Sequence, residues 1–280
     1  MEPVNTTTVS KCQDLSRRAR RDVLEMLHAS HASHIGGAYS CIDILATLYG
    51  AVAHVYPSAP KDPVRDRIVL SKGHAGSALY AILAESGFFA TDLLKSYYSD
   101  GSVFSGHISH RGVPGVEFST GSLGQGVCVA CGMALSAKIR GQKHHVYAII
   151  GDGESEEGSV WEMALFAAHN KLDNFTVIVD ANGLQAMGEC VKETGMGRHE
   201  EKWLAFGWNV VSVADGNDCE QLLKAFSRKT EGMPNLIVAH TVKGKGVSFM
   251  ENEIIWHYRD PQGEDYENAV RELERCGGHA

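Results

Sequence analysis

Positive charge is scarce in this chain. It has 26 lysines and arginines against 34 aspartates and glutamates, a formal net charge of −8. Surfaces that hold nucleic acid or anionic membranes are normally basic, so neither partner is expected. A local basic pocket for a phosphorylated ligand stays open. Cysteines are sparse too: Cys12, Cys41, Cys128, Cys131, Cys190, Cys219 and Cys276 form no dense disulfide framework. Cys128 and Cys131 make a CxxC, but inside the apolar stretch GVCVACGMALSAKI. Residues three apart on a helix share a face, so packing is expected there rather than redox chemistry. The opening MEPVNTTTVSKCQ has no basic and apolar signal pattern, and no apolar run approaches membrane-spanning length. A reduced, cytoplasmic protein is the expectation. Internal repeats, linkers and low-complexity segments are missing. With 280 residues, 44% of them hydrophobic, the chain can bury a sizeable core, and one domain over residues 1–280 is the simplest organisation. G-x-G-x-x-G and G-x-x-x-x-G-K-[ST] are both absent at the strand ends, which excludes the two commonest nucleotide cradles.

What is present is a regular alternation of helix and strand. Apolar spacing predicts an amphipathic helix over 14–30 and a second over 40–53, with Ser40 as its N-cap. A short strand, 66–74, runs into a glycine turn and a helix over 75–86. About twenty irregular residues follow, rich in Gly and Ser, and a loop of that length is usually functional. Then helices at 123–140, 157–171, 199–206 and 218–229 alternate with strands at 145–151, 175–182, 208–215 and 235–242. The strands are β-branched and continuous, as when both faces are covered. The pattern predicts an α/β fold with a central, mainly parallel sheet.

In such sheets ligands bind beyond the carboxyl ends of the strands. Two of those ends carry oxygen donors. The first strand of the pair runs into GDGESEEG, which holds Asp152 between glycines. The next ends in DANGLQAMG, with Asp180 and Asn182. Adjacent strands bring Asp152 and Asn182 to one edge. Mg²⁺ takes oxygens in near-octahedral geometry and completes its shell with phosphate and water. Asp152, Asn182 and a free carbonyl at Leu184 suit a metal that carries a diphosphate, and Gly153 lets backbone amides approach it. GDG alone is most often just a turn. With an Asn after the following strand it resembles the motif of thiamine-diphosphate enzymes.

The resemblance runs from about Leu15 to about Tyr258. The chain is similar to the N-terminal, diphosphate-binding half of the transketolase family. SHIGGAYSCIDILATLY, RDRIVLSKGHAGSALYAIL, SGHISHRGVPGVEFSTGSLGQG, the GDG segment and TVKGKGVSFMENEIIWHY each resemble a family motif. The resemblance implies a three-layer αβα thiamine-diphosphate fold. It implies thiamine diphosphate with Mg²⁺ (Ca²⁺ or Mn²⁺ as alternatives), the metal on Asp152, Asn182 and the Leu184 carbonyl. His74, Gly121, Ser122, Leu123, Gly153 and Asn182 are implied to line the cofactor. His34, His107 and His257 are implied to face the sugar, His257 also lying near the diphosphate. Glu157 and Glu162 are implied at a subunit interface, linking paired active sites, and Glu157 is counted with the catalytic histidines. Ile35, Tyr258 and Asn217 depart from the family pattern, where proline, glycine and histidine are usual; the first two put sugar specificity in question.

The implied reaction is ketol transfer, moving two carbons from a ketose to an aldose, either of them phosphorylated or not. Histidine suits proton transfer near neutral pH. His34 and His257 are the candidates for the donor C3 hydroxyl, and His107 for the C1 hydroxyl. His28, His31 and His34 are spaced by three, but no Cys or carboxylate cluster accompanies them for zinc. His110 has no assigned role, and Glu154 and Glu156 are expected only to favour a helix N-terminus. After Tyr258 about one helix remains, too little for the family's pyrimidine-binding domain, which carries the glutamate that activates the cofactor. The resemblance therefore implies a separate C-terminal (pyrimidine-domain) transketolase subunit as partner, in an α2β2 assembly. The α subunit of a 2-oxo-acid dehydrogenase shares the GDG and Asn motif and is the alternative, beside a transketolase-like enzyme for an unusual sugar and a non-catalytic regulatory chain.

Overall fold

The computed structural model describes residues 5–195 and 197–275. Cys276 lies outside them. In chain order the regular elements are α1 (Thr6–Ser30), α2 (Ile35–Thr47), β1 (Arg67–Leu70), α3 (Gly76–Glu85), α4 (Gln125–Ile139), β2 (Val146–Gly151), α5 (Gly158–His169) and β3 (Phe175–Asp180). There follow the single turn α6 (Cys190–Glu193), α7 (His199–Ala205), β4 (Asn209–Val213), α8 (Cys219–Phe226), β5 (Asn235–Ala239) and α9 (Gly263–Arg275).

The five strands form one sheet, ordered β1-β2-β3-β5-β4, and every pair is parallel. Side chains alternate across a strand, so each strand feeds two cores. Ile68, Leu70, Tyr147, Ile149, Ile178 and Ile237 meet α1, α2 and α3 on one face. Val69, Val146, Ala148, Ile150, Val177, Val179 and Val238 meet α4, α5 and α7 on the other. This is the three-layer αβα arrangement that the continuous apolar strands predict. Register brings the site together: Gly151 pairs with Asp180, and Asp180 with Ala239. The carboxyl ends of β2, β3 and β5 therefore lie level along one edge.

Three expectations are corrected. Ser40 is not an N-cap; α2 begins five residues earlier, at Ile35, with His34 in the capping position at φ 79°. Gly36 and Gly37 look like poor helix formers, but tertiary packing overrides propensity. A Cβ at Gly36 would meet Lys243 Cγ at 3.1 Å, and one at Gly37 would meet His74 Nε2 at 3.5 Å. The second correction concerns length: Ile35–Val52 is long and apolar enough to cross a membrane, yet 83% of it is buried within the protein. It is the central core helix of one layer. In α4, Cys131 is buried and its thiol is pushed up to about 12 by burial. Cys128 Sγ donates to Gly124 O at 3.0 Å, so the CxxC serves packing. α1 starts earlier than predicted, because Asn5 caps it by accepting from Thr7 N at 2.9 Å.

Candidate functional site

A cavity of about 320 Å³ opens at the level edge of the sheet. Its walls come from stretches far apart in the chain, from His34 to His257. His34 ends the link between α1 and α2, and its N–H donates to His257 O at 3.1 Å. His74 stands on the one-turn 3-10 helix Gly73–Ala75 that follows β1. Only glycine fits before it, since a Cβ at Gly73 would strike Thr120 O at 2.4 Å. His107 belongs to the irregular loop, where Ser105 Oγ donates to its carbonyl at 2.6 Å. His257 closes the 3-10 turn Ile254–His257, anchored by buried Trp256, whose Nε1 donates to Phe249 O at 3.1 Å.

The four imidazoles cluster. His34 lies 5.4 Å from His74, 6.0 Å from His107 and 5.0 Å from His257, centroid to centroid. Burial, reinforced by neighbouring histidines and lysines, lowers His34 and His257 to about 4 and His74 well below its ordinary range. Those three rings are neutral at pH 7, so each offers one N–H donor and one acceptor nitrogen.

The carboxylate end faces them. Asp152 is 4% exposed. Its Oδ1 accepts from Gly153 N at 2.9 Å and its Oδ2 from Gly183 N at 2.5 Å. Burial and the nearby Asp180 raise it to about 6, against the pull of those two N–H groups and Lys72. Asn182 Oδ1 accepts from Leu184 N at 3.0 Å. Asp152, Asn182 and Leu184 all line the cavity, with Gly121, Leu123 and Gly153. Ser122 is exposed and Glu157 is exposed at the start of α5; neither lines it. Glu162 is likewise exposed on α5. His110 turns aside to Ser119 Oγ at 2.7 Å.

The zinc spacing dissolves in three dimensions. His28 stacks on Tyr266 at 3.7 Å, and His31 Nδ1 lies 2.9 Å from Asp260. Among the described residues no group of three His, Cys, Asp or Glu side chains is placed to hold a metal. A cation at this edge would take an amide and a carbonyl beside Asp152, as a hard ion completed by phosphate does.

Several site residues lie inside the quoted motifs but were given no role by sequence reasoning. Lys72 forms a fully buried ion pair with Asp180, which also accepts from Ser40 Oγ at 2.6 Å and from Thr241. The Lys72 ammonium also donates to Gly37 O at 2.9 Å. Lys243 is 2% exposed. Its ammonium reaches Leu184 O at 3.3 Å, Gln185 O at 3.2 Å and His257 Nδ1 at 3.4 Å, none of them a carboxylate. Burial, then repulsion from Lys72, lowers it to about 8. A buried cation paired with neutral groups is suited to an anionic ligand. Lys243 lies in the KGKG run just past β5, and a lysine so close to a strand end was the available signal. Glu154 was expected at a helix N-terminus; it is instead buried, with Oε1 accepting from Gly124 N at 2.9 Å. Asn217 ties Asp43 Oδ2, at 2.8 Å, to Val242 N, at 2.9 Å, outside the cavity.

These donors fit thiamine diphosphate with a hard cation: a carboxylate, an amide and a carbonyl for the metal, an unpaired ammonium for the diphosphate, and close glycine walls. A Cβ at Gly121 would meet His107 Cδ2 at 3.4 Å, and one at Gly153 would meet Gln185 Cγ at 3.1 Å.

Residues 13–273 match the family model described as "Transketolase, thiamine diphosphate binding domain". The chain is 40% identical over 260 residues to one of the subunits of an apulose-4-phosphate transketolase from Phocaeicola vulgatus, covering 92% of each chain. It is 39% identical over 269 residues to the 6-deoxy-6-sulfo-D-fructose transketolase subunit SqwG of a Clostridium species, covering 94% of this chain and 98% of that one. The crystal structure of transketolase from Campylobacter jejuni superposes with a TM-score of 0.88 at 30% identity, over 97% of this chain but 43% of that one. The chain thus spans less than half the length of that longer transketolase and nearly all of the two subunits.

Proposed function

Because the chain belongs to the transketolase thiamine diphosphate binding family, we propose that it is the diphosphate-side subunit of a two-chain transketolase. It moves a two-carbon ketol group from a ketose to an aldose. The observation that carries this is the cavity itself, where neutral histidines stand over Asp152, Asn182 and the unpaired Lys243 ammonium. The relatives' names favour it over a 2-oxo-acid dehydrogenase: two that match almost end to end are transketolase subunits.

Thiamine diphosphate, when bound, supplies the carbanion chemistry that cleaves and re-forms the ketose C–C bond. This chain's residues do the rest. Asp152, Asn182 and the Leu184 carbonyl would hold Mg²⁺, the carbonyl exchanging its Lys243 bond for the cation, and the freed Lys243 ammonium would offset the diphosphate charge beside Gly153. His74, Gly121 and Leu123 flank the cofactor; Ser122, exposed and outside the cavity lining, does not. His34 and His257, neutral at working pH, take and return the donor C3 hydroxyl proton. His107 fixes the C1 hydroxyl. Glu157 and Glu162 serve an interface between two copies of this chain.

The residue that activates the aminopyrimidine comes from a separately encoded partner, and two of each chain make the working assembly. The domain is a single diphosphate-binding unit over residues 1–280, at work in the cytoplasm; the six described cysteines are all unpaired, which favours a reducing compartment. A specialised sugar is the second reading. It is favoured by Tyr258, whose hydroxyl donates to Ala186 O at 3.1 Å and whose ring lies against His257, both of them residues of the cavity wall.

The test is a ketose-to-aldose exchange assay on the purified chain, with and without the partner, alongside light scattering. Activity is expected only with the partner, as a two-plus-two assembly. Robust turnover by the chain alone would sink the two-chain proposal.

A further inference from the structure

We propose that Glu154 is a positioning residue for the cofactor site, the strut that sets the Asp152 turn against the loop Gly121–Gly124. It rests on the thiamine-diphosphate reading above and deepens it. Glu154 follows Asp152 by two residues and is 2% exposed. Its two oxygens reach three separate segments. Oε1 accepts from Gly124 N at 2.9 Å and from Ser71 Oγ at 2.5 Å. Oε2 accepts from Gly151 N at 3.2 Å. Ser71 Oγ in turn accepts from Val127 N at 2.9 Å.

Gly124 and Val127 bracket the first turn of α4, whose N–H groups have no partner within the helix. Gly124, the capping residue, has no side chain to satisfy them. The cap therefore comes from elsewhere in the chain: Glu154 directly and Ser71 as a relay. A carboxylate at a helix N-terminus is also favoured by the helix dipole. The seat is tight. A Cβ at Gly124 would meet Ser159 Oγ at 2.4 Å, and one at Gly126 would meet Ser71 Oγ at 2.7 Å. With no slack there, the place of the loop follows from the place of Glu154. One carboxylate thus joins the ends of β1 and β2 to the loop, and the metal side of the site to its opposite wall. It acts through Gly124 and Gly151, not on substrate.

The test compares Glu154→Ala, Glu154→Gln, Ser71→Ala and the Glu154→Ala/Ser71→Ala double variant. Two measurements are made on the full chain with its partner: thiamine diphosphate affinity in Mg²⁺ by calorimetry, and amide exchange by mass spectrometry. Glu154→Ala should weaken binding roughly tenfold or more, since it removes several bonds to a charged acceptor. Exchange should rise over 121–127 while α8 stays protected. Glu154→Gln keeps one acceptor oxygen and should fall between. The double variant should be no worse than Glu154→Ala, because both residues act through one network. Wild-type affinity in Glu154→Ala, exchange raised evenly along the chain, or tighter binding in Glu154→Gln would each overturn the strut. The last would mean that the carboxylate acts only as a charge repelling the diphosphate. Failure of the wild-type protein to bind thiamine diphosphate at all would instead sink the cofactor reading, and the exchange measurement would still decide the strut.

Discussion

Replacing Lys243 with methionine should separate stability from binding. Lys243 is 2% exposed, and among the described residues its ammonium bonds only to two carbonyls and an imidazole, at 3.2–3.4 Å. Its fall from 10.5 to about 8 corresponds to a cost of about 3 kcal/mol for keeping the charge in the folded chain. The sign follows from the direction of the shift. The folded protein binds this proton less tightly than the unfolded one, so the cost is fully present below pH 8. It is relieved as pH rises from 8 toward 10.5. Methionine has similar length, fills the same space and carries no charge. Lys243→Met should therefore leave the chain as stable as wild type or more so at pH 7, by up to about 3 kcal/mol. The same variant should lose diphosphate. A hydrogen bond to a charged group contributes about 1.5–3 kcal/mol, so affinity should fall about 10- to 100-fold. Denaturant melts of the unliganded chain supply the first number, and calorimetric titration with thiamine diphosphate in excess Mg²⁺ the second. A variant that is less stable yet binds the cofactor normally would refute the reasoning, because Lys243 would then be a structural cation with no anion to serve.

Asp152→Ala should abolish thiamine diphosphate retention by the assembled enzyme, since it removes the one charged metal ligand; unchanged affinity by calorimetry would exclude the assignment. Binding that depends on Mg²⁺ should strengthen as pH rises through about 6, where the buried Asp152 loses its proton; titrations at pH 5 and pH 7 that give equal affinity would count against that. His107→Ala should lower kcat/KM by about 1–3 kcal/mol with cofactor affinity spared; a collapse in affinity at constant donor KM would place His107 on the diphosphate instead.

The β/α alternation was legible because the central strands β2, β3 and β5 are continuous apolar runs and helices such as α1 and α8 carry an apolar stripe. The start of α2 was not. Gly36 and Gly37 read as helix breakers, and only the closeness of Lys243 and His74 explains why they lie inside the helix. The histidines and the GDG turn could be found because their residue types suit proton transfer and metal binding. Lys72, Lys243 and Glu154 share the same motifs but could not be singled out by type. Each is an ordinary charged residue in sequence, and its role comes from burial at 2% exposure beside partners far along the chain. Glu154 shows the limit most plainly. Near a helix start, a glutamate normally caps its own helix; this one turns inward and caps α4, thirty residues upstream.

The sheet explains why one edge gathers so much charge. Parallel strands in register end level, so Asp152 after β2, Asn182 after β3 and Lys243 after β5 emerge side by side. Within that edge the two lysines are divided by their partners. Lys72 is committed to Asp180 in a closed, fully buried pair. Lys243 is held by carbonyls and keeps its charge for the cavity. A buried ion pair contributes little net stability, and breaking it by removing one partner leaves an uncompensated charge that typically costs about 3–5 kcal/mol. The two lysines therefore predict opposite phenotypes: loss of Lys72 strands Asp180 and damages the fold, whereas loss of Lys243 relieves the fold and damages binding. An edge that carries both signs offers a cation to an anionic ligand only where that cation has no carboxylate partner, and the arrangement of Lys72, Asp180 and Lys243 leaves one.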